Sequence, residues 1–290
     1  MSATAESEKK FLTAEQIDFF ERNGYVIVDF GFAESLLDEL VSTIHPYYNP
    51  EHLRAPAFGA RIQDAWKFVK PSHSLATDKN VLAALQQLFG RKPLPFQTLN
   101  FPVGTQQLTH SDTIHFNSLP SGFMAGVWVA LEDIDENNGP LEYYPGTHLL
   151  PEISMKDANL EPGYQNYPQY EHFIADYVAR LGIEPAYGLM PKGHALIWHA
   201  NLLHGGSKQK DPRRTRHSQV THYFFEGCQY YTPMYSTDKR IAFRQPEWID
   251  PENWVMRPPG GAEPEPEKEV APDLVSKIAR LRQWLGQKLG

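Results

Sequence analysis

A mainly β fold, a sandwich or jelly roll flanked by helices, is what the order of patterns along this chain predicts. Helical periodicity is concentrated in the first ninety or so residues. From Phe96 onward, short runs rich in β-branched and aromatic residues alternate with Gly, Pro, Asn and Asp. Regular helices do not intervene between those runs, as they would in a parallel α/β fold. At 290 residues the chain is within the range that all-β sandwiches and barrels reach as one domain.

The first helix is expected after Thr13, which forms a capping box with Gln16. It carries Ile17, Phe19 and Phe20 before Asn23-Gly24 stops it. A strand follows at Tyr25 to Phe30. Glu34 to Ile44 places Leu36, Leu37, Leu40, Val41 and Ile44 at helical spacing and ends near Pro46. Asp78 caps a further helix that buries Val81, Leu82, Leu85, Leu88 and Phe89 and stops at Gly90. The later strands are expected at Phe96 to Val103, Phe123 to Leu131, Leu141 to Tyr144, Ala195 to Trp198 and Gln219 to Phe225. Between them, Pro151 to Pro191 reads as a long insertion rich in Tyr, Pro and His, of the kind that forms lids or binding loops. The domain is expected to span residues 1–257. A Pro/Gly/Glu-rich linker then covers 258–272, and an amphipathic helix 273–290 carries Leu274, Ile278, Leu281 and Leu285 on one face. That helix would dock on the parent domain or on a partner in a homodimer.

Composition narrows the function classes. Hydrophobic residues make up 41% and charged residues 21%, the balance of a globular domain. No apolar run is long enough for a membrane span. A net charge of −8 gives no long-range attraction for nucleic acid. The polar start MSATAESEKK lacks the pattern of a secretory signal, so a cytoplasmic location is expected. The single cysteine, Cys228, excludes an internal disulfide and reads as a small buried apolar residue.

The chemistry is concentrated in two separated motifs, LTHSDTIHF and LLHGGSKQKDPRRTRHS. His110 and Asp112 alternate by two, so on a strand or its extension both side chains share a face. His204 follows an apolar strand and precedes two glycines that permit close backbone approach beside a ligand. Two imidazoles and one carboxylate can hold one face of an octahedral iron(II), leaving open positions for co-substrate and dioxygen. A guanidinium from Arg213, Arg214 or Arg216 could then grip a co-substrate carboxylate in two-point fashion. His115 and His199 are out of phase with the motif, and His194, His217 and His222 read as core or surface residues.

The stretches ERNGYVIVDFG, QLTHSDTIHF, GVWVALEDIDENNGPLEYYPGTH, LLHGGS and RTRHSQVTHYF, in this order, resemble the phytanoyl-CoA dioxygenase family of iron(II)- and 2-oxoglutarate-dependent oxygenases. The resemblance implies a double-stranded β-helix, or cupin-like jelly roll, with the metal inside one end. It makes His110, Asp112 and His204 the catalytic iron ligands and Arg216 the partner of the far carboxylate of 2-oxoglutarate. Gln107 and Trp128 match positions that line the co-substrate pocket. The cofactor set it implies is Fe(II), with 2-oxoglutarate and O2 as co-substrates. The aspartate at 112 points to hydroxylation, since related halogenases carry a small residue there.

Two other readings fit the same residues: a zinc-dependent hydrolase using the triad, and a non-catalytic jelly-roll binding module. For the oxygenase reading the partner is a small-molecule substrate. Tyr164 to Tyr177, with Trp66, Lys67 and Lys70, are candidates for its walls.

Overall fold

The capping signals at the N-terminus act as the sequence suggests. In the computed structural model, which describes residues 11–50, 53, 61–257 and 259, Thr13 and Gln16 form the reciprocal capping box of α1 (Ala14–Asn23), and Gly24 closes it with φ +79°. Strand β1 (Tyr25–Asp29) leads into α2 (Glu34–Ile44). The short β2 (Ile62–Gln63) is followed by α3 (Lys70–Ala76) and by α4 (Lys79–Phe89), whose first amides are capped by Asp78. The expected linker 258–272 and helix 273–290 lie outside the described residues, Pro259 apart. Among the described residues, no helix is long and apolar enough to cross a membrane.

The remaining strands are β3 (Pro93–Phe101), β4 (Asn117–Leu119), β5 (Met124–Ala130), β6 (Leu141–Tyr143), β7 (Ala186–Tyr187), β8 (His194–His199), β9 (His204–Gly206), β10 (Ser218–Phe225), β11 (Gln229–Tyr231) and β12 (Phe243–Arg244). Among the described residues, six of the twelve strands form an antiparallel sheet in the order β1-β8-β5-β10-β3-β2. Two shorter sheets, β7-β6-β9 and β12-β11-β4, complete the sandwich. β3 begins three residues earlier than expected, at Pro93. Prolines are tolerated there because β2 pairs only with Leu99 and Asn100, so the first half of β3 is a sheet edge.

Alternation along the central strands sorts the side chains into two cores. Ala125, Val127, Val129, Ala195, Ile197, Tyr223 and Phe225 pack outward against Leu37, Leu40, Val81 and Leu85 of the helices. Trp128, Leu196, Trp198 and Val220 point the other way and meet Tyr143 and Leu202 between the sheets. The helices thus brace one face of the large sheet and leave its opposite face for the site.

One expectation is corrected. The insertion from Pro151 to Pro191 is not a long loop, because it contains α5 (Tyr167–Leu181), with Tyr167, Tyr170, Ile174 and Val178 buried. Their helical spacing is carried largely by tyrosines, whose polar tips make the apolar stripe hard to see. Pro168 in the first turn and Gly182 at the C-cap, φ +62°, mark its ends. Cys228 is only partly buried, beside Arg91 Nη1 at 3.3 Å.

Candidate metal centre

Backbone pairing brings the two distant motifs together. His110 and His204 form an antiparallel bridge, with His110 N–H donating to His204 O at 2.8 Å and His204 N–H to His110 O at 2.9 Å. The glycines after His204 serve this pairing. A Cβ at Gly205 would lie 2.8 Å from Gln107 O, and one at Gly206 2.9 Å from Gln106 N. The close approach is to the segment that delivers His110, and both glycines also line the cavity beside the triad.

Asp112 arrives by a turn, not by strand continuation. Ser111 accepts the Thr113 N–H and opens a short helical turn at Asp112–Ile114. Asp112 Oδ1 then stands 3.8 Å from both His110 Nε2 and His204 Nε2. All three side chains are buried, and their potential ligand atoms lie within 4.8 Å of one another.

Tautomers are fixed from behind. His110 Nδ1 is 2.9 Å from Leu108 O, and His204 Nδ1 is 2.9 Å from Leu202 O. A carbonyl only accepts, so each Nδ1 carries the proton and each Nε2 offers its lone pair to the centre. Burial, with the His204 imidazole alongside, pulls the His110 pKa down to about 3, which keeps its ring neutral. Burial alone would raise Asp112. The neighbouring His204, His222 and His110 and the Trp198 N–H outweigh it and hold the carboxyl at about 2.

Arg216 lines the same cavity of about 210 Å³ and is almost wholly buried. Its Nε and Nη1 have no hydrogen-bond partner, and its Cζ lies 5.3 Å from the Trp128 ring and 5.8 Å from that of Phe101. Burial lowers its pKa to about 10, so it stays charged at neutral pH. Cation–π contacts of a desolvated guanidinium return on the order of 2 kcal/mol. Desolvating an unpaired cation costs several kcal/mol. The imbalance is what a bound anion would correct. Trp128 Nε1 is a second buried donor without a partner, in the same cavity.

The other expected residues divide clearly. Gln107 lines the cavity, its Nε2 3.4 Å from His110 Nε2, 3.3 Å from Tyr167 OH and 3.4 Å from Glu171 Oε1. Arg213 is on the surface, bound to Asp211, and Arg214 pairs with Asp135. Trp66, Lys67 and Lys70 do not line the cavity. Lys67 instead pairs with Glu247 at 2.7 Å.

Two histidines dismissed on sequence do line it. His222 Nε2 is 3.8 Å from Asp112 Oδ2, and the His115 ring lies 4.8 Å from that of Tyr167. His222 shares the inward parity of Val220 on β10, a signal available from the sequence. His115 follows from the turn at Asp112, which breaks the parity on which it had been excluded.

A buried two-histidine, one-carboxylate cluster inside a jelly roll, beside a buried arginine, defines the class of facial metal sites with open coordination positions. The model of the phytanoyl-CoA dioxygenase (PhyH) family matches residues 20–218, and the chain belongs to that family. It is 33% identical over 131 residues to peroxisomal phytanoyl-CoA dioxygenase of Bos taurus, covering 42% of this chain and 34% of the relative. The chain spans about a third to a half of the length of the mammalian relatives it matches. Among solved structures it is similar to EctD from S. alaskensis with 2-oxoglutarate and 5-hydroxyectoine (TM-score 0.59, 18% identity, 81% of this chain and 83% of that one). It is also similar to the epimerase SnoN in complex with Fe3+, alpha ketoglutarate and nogalamycin RO (TM-score 0.58, 19% identity, 89% and 95%). Both likenesses establish the jelly-roll fold.

Proposed function

We propose that this chain is a non-haem iron(II)- and 2-oxoglutarate-dependent dioxygenase that hydroxylates an unactivated carbon of a small molecule, with release of succinate and carbon dioxide. His110, Asp112 and His204 would hold the iron, and Arg216 the far carboxylate of 2-oxoglutarate. The observation that carries the reading is the pairing of a facial donor set with a buried guanidinium whose Nε and Nη1 have no protein partner, in one cavity. The donor set fits ferrous iron: two imidazoles, each bound to a carbonyl through Nδ1, aim Nε2 inward, and one carboxylate stays ionised.

When bound, iron with 2-oxoglutarate and dioxygen supplies the oxidising chemistry, and the protein supplies position and dryness. Carbonyls 108 and 202 lock the imidazoles, Trp198 holds one oxygen of Asp112, and Arg216 with Trp128 offers donors to an acid. Gln107 adds an amide at the rim of His110. The zinc-hydrolase alternative is disfavoured because it leaves Arg216, buried in the same cavity with Nε and Nη1 unpartnered, without a role.

Anaerobic addition of iron(II) and then 2-oxoglutarate tests the reading. A visible charge-transfer band that requires both, followed by succinate formation on admitting oxygen, is expected. Absence of the band, with hydrolytic activity on zinc loading, would overturn it.

A further inference from the structure

The backbone bridge between His110 and His204 fixes the spacing of two imidazoles and leaves the third side chain of the triad to other contacts. Asp112 lies past the end of that bridge, on the short turn Asp112–Ile114. Among the described residues its carboxylate receives a hydrogen bond from Trp198 alone, on Oδ2. That bond sets the rotation of the carboxylate. The position of the turn that carries it must be held from behind.

Asn201 supplies that hold. It is buried in the link between β8 and β9, three positions before His204. Its Nδ2 donates to His148 O at 3.1 Å and to Leu150 O at 2.8 Å. Carbonyls only accept, so the orientation of the amide is settled and Oδ1 is an acceptor on its other side. There Oδ1 lies 3.4 Å from both Ser111 Oγ and Thr113 Oγ1, the hydroxyls that flank Asp112. Ser111 Oγ also reaches Ala200 O at 3.1 Å, contacts Thr113 Oγ1 and accepts the Thr113 N–H at 3.2 Å. Two hydroxyl protons are thus shared among Ala200 O, Asn201 Oδ1 and the two hydroxyl oxygens. Ser111 and Thr113 are buried like Asp112, so these bonds are made within the protein.

The same link also serves the distal histidine. Asn201 N–H donates to His199 Nδ1 at 3.1 Å, and Leu202 O accepts from His204 Nδ1 at 2.9 Å. Residues 200–203 therefore orient His204 through a carbonyl and the Asp112 turn through an amide. Resting on the reading of His110, Asp112 and His204 as metal ligands, we propose that Asn201 is a positioning residue for the metal. It sets the Asp112 turn against the link to His204, so that all three donors reach one ion. The bridge fixes one side of the triangle, and Asn201 fixes the side between Asp112 and His204. Partners that orient ligands in this way change metal affinity by about 10- to 100-fold when removed.

An anaerobic iron(II) titration of the full chain, without 2-oxoglutarate, tests this in the unmodified protein, Asn201→Ala, Thr113→Val, the double variant and Asn138→Ala. Asn138 is a buried amide that holds backbone groups of Asp133 and Asp135 and does not line the cavity. Its variant reports what losing a buried amide does by itself. Per folded molecule, Asn201→Ala should raise the iron(II) dissociation constant about tenfold or more, and Asn138→Ala less than about twofold. Thr113→Val should weaken binding too, and the double variant should be no more than about threefold worse than the weaker single one, because both act through one turn. In the metal-free protein the His115 and Phe116 amides, each 2.9 Å from Asp112 O, should exchange hydrogen faster in Asn201→Ala but not in Asn138→Ala. If Asn201→Ala does not fold, Asn201→Ser, too short to span from the carbonyls to the hydroxyls, replaces it with the same expectations. Unchanged iron(II) affinity, a loss matched by Asn138→Ala, or single effects that multiply in the double variant would overturn the proposal. Failure of the oxygenase reading shows separately, as absence of the 2-oxoglutarate-dependent band in the unmodified chain. The titration and the exchange comparison need no 2-oxoglutarate and still decide the role of Asn201.

Discussion

The Trp198 indole N–H donates to Asp112 Oδ2 at 2.8 Å, and this bond decides which carboxylate oxygen faces the imidazoles of His110 and His204. Oδ2 is held by the indole, while Oδ1 is equidistant from His110 and His204 at 3.8 Å. The carboxylate is thus set to offer one oxygen to a metal ion, which keeps coordination positions open.

Asp112→Ala removes that oxygen and the anion that three imidazoles share. We expect loss of stoichiometric iron(II) binding and of 2-oxoglutarate-dependent succinate formation, with an unchanged far-UV circular dichroism spectrum. Metal analysis after gel filtration checks the first point, and normal turnover would refute the ligand assignment.

Gly126 pairs with Trp198 across β5 and β8, and a Cβ there would run into the indole at Cε2 and Cζ2. Gly126→Ala should displace the ring and its bond to Asp112. The expected cost is about 1–3 kcal/mol of stability from overpacking, with weakened iron(II) binding beyond what the loss of folded protein explains. Denaturant unfolding and an iron titration on the same sample separate the two effects.

Arg216→Met trades a buried cation for an apolar chain of similar length. The metal-free protein should melt at the same temperature or higher, because an uncompensated buried charge is removed. The 2-oxoglutarate requirement should rise about 100-fold, as when one partner of a buried charge pair is lost. Arg213→Ala should change it less than about twofold, since an exposed ion pair contributes little. Calorimetry and initial rates on both variants make the comparison.

His199 lies against Phe89, and burial, with His148 nearby, brings its pKa down from 6.5 to about 4. The unfolded chain therefore binds a proton between those values that the folded chain does not, so folding weakens as pH falls from about 6.5 towards 4. In the metal-free protein the melting temperature should drop through this window. His199→Asn, whose amide oxygen can take the place of Nδ1 as acceptor for the Asn201 N–H, should recover roughly 5 °C of that drop. An identical pH profile in the variant would assign the loss to other groups.

Much of this architecture was legible because it is periodic or capped. Thr13, Gln16, Asp78 and Gly90 mark helix ends by local hydrogen bonding, and the alternation Ala125, Val127, Val129 against Trp128 marks a strand with two buried faces. The separated motifs containing His110 and His204 were readable as a pair through their chemistry, although the backbone bridge that joins them leaves no local trace. What escaped depends on a change of local geometry. The turn at Asp112 ends strand parity, so His115 enters the pocket against expectation, and Arg61, which lines the same cavity, lies far from both motifs in sequence. The helix Tyr167–Leu181 was hidden by its own tyrosines.

The buried guanidinium of Arg216 hangs just ahead of β10 in the large sheet, while His110 and His204 belong to the small one. A dicarboxylic co-substrate gripping Arg216 at one end and the triad at the other would act as a rivet through both layers. Closure of the sandwich would then be supplied in part by a metabolite, and the rigidity of the fold would follow that metabolite's concentration.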